Sequence, residues 1–106
     1  MDRRTRSIYE ARATIIKALA HPTRLFIVDT LAEKEHCVCE LTEMIGADVS
    51  TVSKHLAVLK NAGIVEDEKR GTTVWYRLKT PCVLNFIACT ESVMQLRLEE
   101  QRALLR

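Results

Sequence analysis

The chain has 106 residues, of which 47% are hydrophobic and 28% charged, with a net charge of +2, proportions that suit one globular domain spanning residues 1–106. No run approaches the roughly 18 consecutive apolar residues of a membrane span, and the basic start Met1-Asp2-Arg3-Arg4-Thr5-Arg6 has no apolar segment behind it, so neither membrane insertion nor secretion is expected. The expected compartment is therefore the cytoplasm, where the four cysteines are read as reduced thiols serving as packing groups, redox sensors or ligands of a soft ion.

Ile8, Ala11, Ile15, Ala18 and Leu19 recur at the spacing of an amphipathic helix. His21-Pro22-Thr23 interrupts the pattern, and Pro22 suits the first turn of a second helix. That helix carries Leu25, Val28 and Leu31 and ends near Glu33. Glu35 to Cys39 is read as a short irregular piece. Leu41, Met44 and Ile45 then mark a two-turn helix stopped at Gly46, where a left-handed cap is expected. Asp48 is the expected N-cap of a fourth helix that runs to about Ala62. Ile64 to Leu78, with Gly71 in its middle and Val74, Tyr76 and Leu78 alternating after it, reads as a β-hairpin. From Pro81 onward the pattern is helical again. The order α-α-α-α-β-β-α is that of a helix-turn-helix followed by a wing.

The net charge conceals an asymmetry: residues 1–24 carry +4, 25–49 carry −5, 50–80 carry +3 and 81–106 carry none. Two basic segments leave room for a polyanionic partner. Winding residues 49–63 as a helix puts Val49, Val52, Leu56, Leu59 and Gly63 on one stripe, and Ser50, Lys54 and Asn61 opposite, flanked by Thr51 and His55. Small hydroxyls beside a Lys and a His suit contact with a DNA groove. Ser50, Thr51, Ser53, Lys54 and His55 are the candidate contacts from this helix. Lys69 and Arg70, at the tip of the hairpin beside Gly71, Thr72 and Thr73, are those from the wing. Trp75 and Tyr76 are read as packing residues, and Arg3, Arg4 and Arg6 have no assigned role.

Three stretches, Cys37-Val38-Cys39-Glu40-Leu41, Asp48 to Leu56 and Leu59-Lys60-Asn61-Ala62-Gly63-Ile64-Val65, together with Ala18 to Arg24 and Trp75-Tyr76-Arg77-Leu78, resemble the ArsR/SmtB family of metal-responsive repressors, in its arsenical-resistance form. The resemblance covers about residues 14–80. It implies a mostly α winged helix-turn-helix that dimerises through its first and last helices and binds a palindromic double-stranded operator until an inducer weakens the complex. The last helix supports dimerisation independently, because Cys82, Phe86, Cys89, Val93 and Leu96 form an apolar stripe widened by Leu84, Ile87 and Leu98.

Sulfur donors select soft ions, so Cys37 and Cys39 are the candidate metal ligands. Sulfurs sharing such an ion must lie within roughly 4 Å of each other, given bonds of about 2.3 Å, whereas positions i and i+2 of a helix point about 200° apart. Ligation is therefore expected to hold Cys37-Val38-Cys39 out of helical geometry and to tilt the helices that follow. The family's arsenic motif commonly has a third cysteine where this chain has Thr42. Cys82 or Cys89 are then the candidates for a third ligand, with solvent thiol, His36 or Glu40 as substitutes. No His follows His55, which argues against the zinc and nickel sites that the family builds on its last helix. The first 36 residues lack the cysteines of its cadmium and lead sensors. Arsenite or antimonite is the first expectation, cadmium or lead the second, and a thiol redox or persulfide sensor a third. No glycine-rich phosphate loop or metalloprotease His-Glu spacing is present, so no catalytic residue is assigned and no enzyme is expected.

Overall fold

The computed structural model describes residues 1–106. Helix α1 spans Arg3–Leu19, starting earlier than its apolar pattern because the Asp2 carboxylate caps it and accepts the Thr5 N–H at 2.7 Å. Helix α2 spans Pro22–Glu33, with Pro22 in its first turn and the ring of His21 as its cap. A two-residue strand β1, His36–Cys37, leads directly into α3, Val38–Ile45. Gly46 ends α3 at φ 76°, a backbone state that suits glycine. Helix α4 spans Val49–Asn61 and is capped by Asp48, whose carboxylate accepts the Thr51 N–H at 2.9 Å. Strands β2, Val65–Arg70, and β3, Thr73–Leu78, form the hairpin, with Gly71 at φ 63° in the turn between them. Helix α5 spans Val83–Leu104.

The expected two-stranded hairpin is in fact part of a three-stranded antiparallel sheet in the order β1-β3-β2. Its third member comes from the stretch read as irregular. His36 pairs with Tyr76 and Cys37 with Trp75, so the free edge of the wing is partly covered. Two residues carry no alternating pattern of their own, and only the partner strand makes them a strand.

Eleven buried side chains form the core, supplied by α1 (Ala18, Leu19), α2 (Ile27, Val28, Leu31), α3 (Leu41), α4 (Val52, Leu56, Leu59) and the start of the hairpin (Ile64, Val65). Burying an aliphatic side chain of this size contributes roughly 1.5–3 kcal/mol. Val49, placed on the same stripe by the helical spacing, is 57% exposed at the first residue of α4. Helix α5 buries no residue completely. Its Val83, Leu84 and Ile87 lean on the core, whereas Phe86, Val93, Leu96 and Leu98 remain exposed. The radius of gyration is 16.9 Å, against about 13 Å for a compact domain of this length; the long outer helices extend past the core.

A polar cluster fixes α4 to the junction of α1 and α2. Arg24 donates from Nε to the Ala18 carbonyl at 2.7 Å and from a terminal nitrogen to Nδ1 of His55 at 3.3 Å. Arginine has no acceptor, so His55 Nδ1 accepts and the neutral ring carries its proton on Nε2. The His55 ring lies 4.4 Å, centroid to centroid, from that of His21, whose own Nδ1 accepts the Thr23 N–H. Burial, aided by His21 and Arg24, holds the His55 pKa below its ordinary value of 6.5. The native state therefore binds fewer protons at His55 than the unfolded chain, so stability present above about pH 6.5 falls as the pH drops below it. Thermal unfolding followed from pH 7.5 to 5.5 should show this loss, and His55→Gln should flatten the dependence; an equally steep curve in the variant would place the titrating group elsewhere.

Candidate nucleic-acid interface and thiol site

With three of its side chains in the core, α4 has only one face to offer. Ser50, Thr51, Ser53 and Lys54 are all exposed on its first two turns, where the hydrogen bonds of the Asp48 cap fix the backbone and hold the Asp48 carboxyl below its usual range. His55, expected to flank this face, is half-buried and turns its Nδ1 inward to Arg24. It thereby ties α4 to the junction of α1 and α2.

The strands of the hairpin carry three basic side chains, with Lys60 of α4 beside them, and their environments differ. Arg77 bonds Glu66 at 2.8 Å and Glu68 at 3.2 Å. Lys60 of α4 pairs with Asp67 at 3.0 Å. Arg70 donates to both oxygens of Glu35, at 2.7 and 3.0 Å, and also to Glu68. Lys69 takes part in none of these pairs and is exposed. The acidic run Glu66-Asp67-Glu68 thus neutralises much of the wing. Of the two expected wing contacts, Lys69 is the unpaired cation and Arg70 is already engaged. Sequence reasoning missed the Glu35–Arg70 pair, because its members lie 35 positions apart and meet only once β1 has joined the sheet.

The thiol site sits where β1 becomes α3. Cys37 is extended, at φ −81° and ψ 163°, and caps the helix. Its sulfur accepts the Glu40 N–H at 3.4 Å, while its own N–H donates to the Glu40 carboxylate at 3.2 Å. This is a capping box with cysteine in the usual place of serine or threonine. Cys37 is 4% exposed, whereas Cys39 lies in the first turn of α3 and is exposed. The two sulfurs are in disulfide contact, with the Cα atoms 5.4 Å apart. One extended residue is enough to turn the first sulfur towards the second, and Cys39 stays helical. Cys39 also borders a shallow cleft lined by Val38, Val49, Thr72, Thr73 and Val74, between the start of α4 and the wing.

No group of three or more His, Cys, Asp or Glu side chains converges within the protomer to hold a metal ion. Cys82 and Cys89, the candidates for a third ligand, are exposed at the start of α5 and do not complete a cluster with the pair. The substitutes are engaged as well: His36 is buried with Nδ1 2.9 Å from the Lys34 carbonyl, and Glu40 holds the Cys37 N–H. What the site offers within one protomer is therefore two sulfurs, one shielded and one open to solvent.

Comparison with known proteins places this geometry. Residues 21–67 match the family model of bacterial regulatory proteins of the arsR family. The chain is similar to the transcriptional repressor SmtB of Mycobacterium tuberculosis, with 42% identity over 73 residues, covering 69% of this chain and 54% of that protein. The match thus spans about half the length of that relative. It is 31% identical over 99 residues to the uncharacterized helix-turn-helix regulator Rv0081 of the same species, covering 92% of this chain and 87% of that one. Among solved structures, the homodimeric winged helix-turn-helix DNA-binding domain of Mb0332 from Mycobacterium bovis superimposes with a TM-score of 0.79 at 32% identity, covering 94% of this chain and 93% of that one. The chain belongs to the ArsR family of bacterial helix-turn-helix regulators.

Proposed function

We propose that this chain is a cytoplasmic transcriptional repressor that binds double-stranded operator DNA as a homodimer. In this reading the operator is released when a soft metal or metalloid, arsenite or antimonite first and cadmium or lead second, is captured by the thiolates of Cys37 and Cys39. Residues 1–106 then serve as one domain for both DNA binding and sensing.

The observation that carries the reading is the position of the sulfur pair at the first residues of the helix-turn-helix. A shielded sulfur and an exposed one, already adjacent, form a two-donor site for a soft ion. The Glu40 N–H in the first turn of α3 already donates to the Cys37 sulfur and fixes its position at the helix start. A third donor would come from solvent thiol or from Cys82 or Cys89 of a partner protomer. DNA contact would fall to Ser50, Thr51, Ser53 and Lys54 in the groove and to Lys69 on phosphate, with His55 placing the helix and Arg70 in reserve behind Glu35. Dimerisation is supported by the large apolar residues exposed along α1, Ile8, Ile15 and Ile16, and along α5, since contiguous exposed apolar surface marks interaction sites.

A second reading is favoured by the sulfur contact itself together with the missing third ligand. An oxidant that takes two electrons from the pair would close a Cys37–Cys39 disulfide with loss of two protons, and the sensor would report thiol oxidation. Titrating the reduced protein on the DNA upstream of its own gene, followed by fluorescence anisotropy, separates the two. Release by stoichiometric arsenite or antimonite supports the first reading, and release by polysulfide alone supports the second. Absence of DNA binding rejects both.

Lys54→Ala and Lys69→Ala should each flatten the log–log salt dependence of DNA binding by about 0.9. Arg70→Ala should change it much less, and a full unit of change would show that Arg70 leaves its carboxylates for the DNA. Cys37→Ser and Cys39→Ser should preserve operator binding and abolish induction. Induction that survives either substitution would move the sensor out of this pair.

A further inference from the structure

If one extended residue already lets the sulfurs meet, unwinding of α3 is not needed, and the path from the thiol site to the DNA-binding surface must run elsewhere. The sheet provides it. Arg70 lies in β2, yet its guanidinium passes over the Trp75 ring of β3, 5.3 Å from the ring centroid. On the far side it reaches both carboxylate oxygens of Glu35, which directly precedes β1. One side chain thus spans all three strands. Trp75, beneath it, is also the cross-strand partner of both Cys37 and Glu68, and Glu68 holds the other edge of the same guanidinium at 3.2 Å. Cys37 is thus linked through its strand pairing with Trp75, the Trp75 ring and Arg70 to Glu35, two residues before it in the chain, and this path joins the strand of the shielded sulfur to the residue immediately before the wing turn at Gly71.

We infer that Glu35 is a positioning residue that couples the cysteine pair to the wing, by holding Arg70 across β3 so that a rearrangement of Cys37 shifts the wing tip. This deepens the proposed function and rests on its assignment of the sensor to Cys37 and Cys39. The wing stands beside the exposed face of α4, and the cleft next to Cys39 is walled by Thr72, Thr73 and Val74 of the wing and by Val49 of α4. A change at the thiols thus acts on the spacing between the two DNA-contacting elements. The pair is about 40% exposed on both side chains, where an ion pair contributes little to stability. Loss of Glu35 should accordingly spare the fold while removing the link.

The experiment compares wild type, Glu35→Gln, Arg70→Gln and the double variant for operator affinity, reduced and after treatment with either arsenite or diamide. The quantity read is the factor by which each agent weakens binding. For an agent that releases the wild type, Glu35→Gln should lower that factor at least about fivefold, the lower end of ordinary allosteric coupling. The double variant should lose no more than either single variant, because all three remove the same link. Reduced Glu35→Gln should bind DNA and melt like the wild type, which separates coupling from mere structural support. Release of Glu35→Gln by the wild-type factor overturns the inference. A wild type that neither agent releases removes the sensor reading and the coupling with it, whereas a wild type that responds with an indifferent Glu35→Gln removes only the coupling.

Discussion

Three side chains of one helix, Val52, Leu56 and Leu59, belong to a core of only eleven. The helix that carries Ser50, Thr51, Ser53 and Lys54 is therefore also a principal wall of the interior, and its exposed face is fixed by what its other face buries. Rotation of α4 would expose part of the core, so its presentation to a partner cannot drift without loss of stability. The Arg24–His55 contact and the Asp48 cap secure the same helix from its inner edge and its beginning. Movement that responds to a signal has to come from a less deeply anchored element. The wing is such an element: its strands are only half-buried beyond Val65.

The sheet explains why the cysteines lie where they do. Extended geometry at Cys37 is imposed twice, by pairing with Trp75 and by capping α3. Both requirements are local, and both turn the sulfur towards the helix start, where Cys39 follows one turn-step later. A thiol pair in this place is thus a by-product of a strand running straight into a helix. The shielding of one sulfur and exposure of the other follow from the same junction, since the strand lies against the sheet and the first turn of the helix faces outward.

Much of this was legible in the sequence because it is decided locally. Pro22, Gly46, Asp48 and Gly71 each announce a boundary through their own backbone or side-chain chemistry, and the stripe of α4 follows from helical spacing alone. The unread features depend on residues far apart in the chain. Strand β1 exists only through β3. The inward turn of His55 requires Arg24, and the engagement of Arg70 requires Glu35. Leu84 and Ile87, grouped by spacing with the exposed stripe of α5, lean on the core instead, because a helix of this length can serve two neighbours along different arcs. Cys37 and Cys39 could be picked out as a pair, but the asymmetry in their exposure could not, since it is set by the sheet.

Trp75 is the only tryptophan in the chain. It lies opposite Cys37 in the sheet and beneath the guanidinium of Arg70, so one residue neighbours both ends of the route between the cysteine strand and the wing. Its emission is sensitive to neighbouring sulfur and charge, and the other aromatic residues of the chain absorb little at its excitation edge. The sole indole is therefore the natural signal with which to follow this part of the sheet in solution, without a label and without DNA.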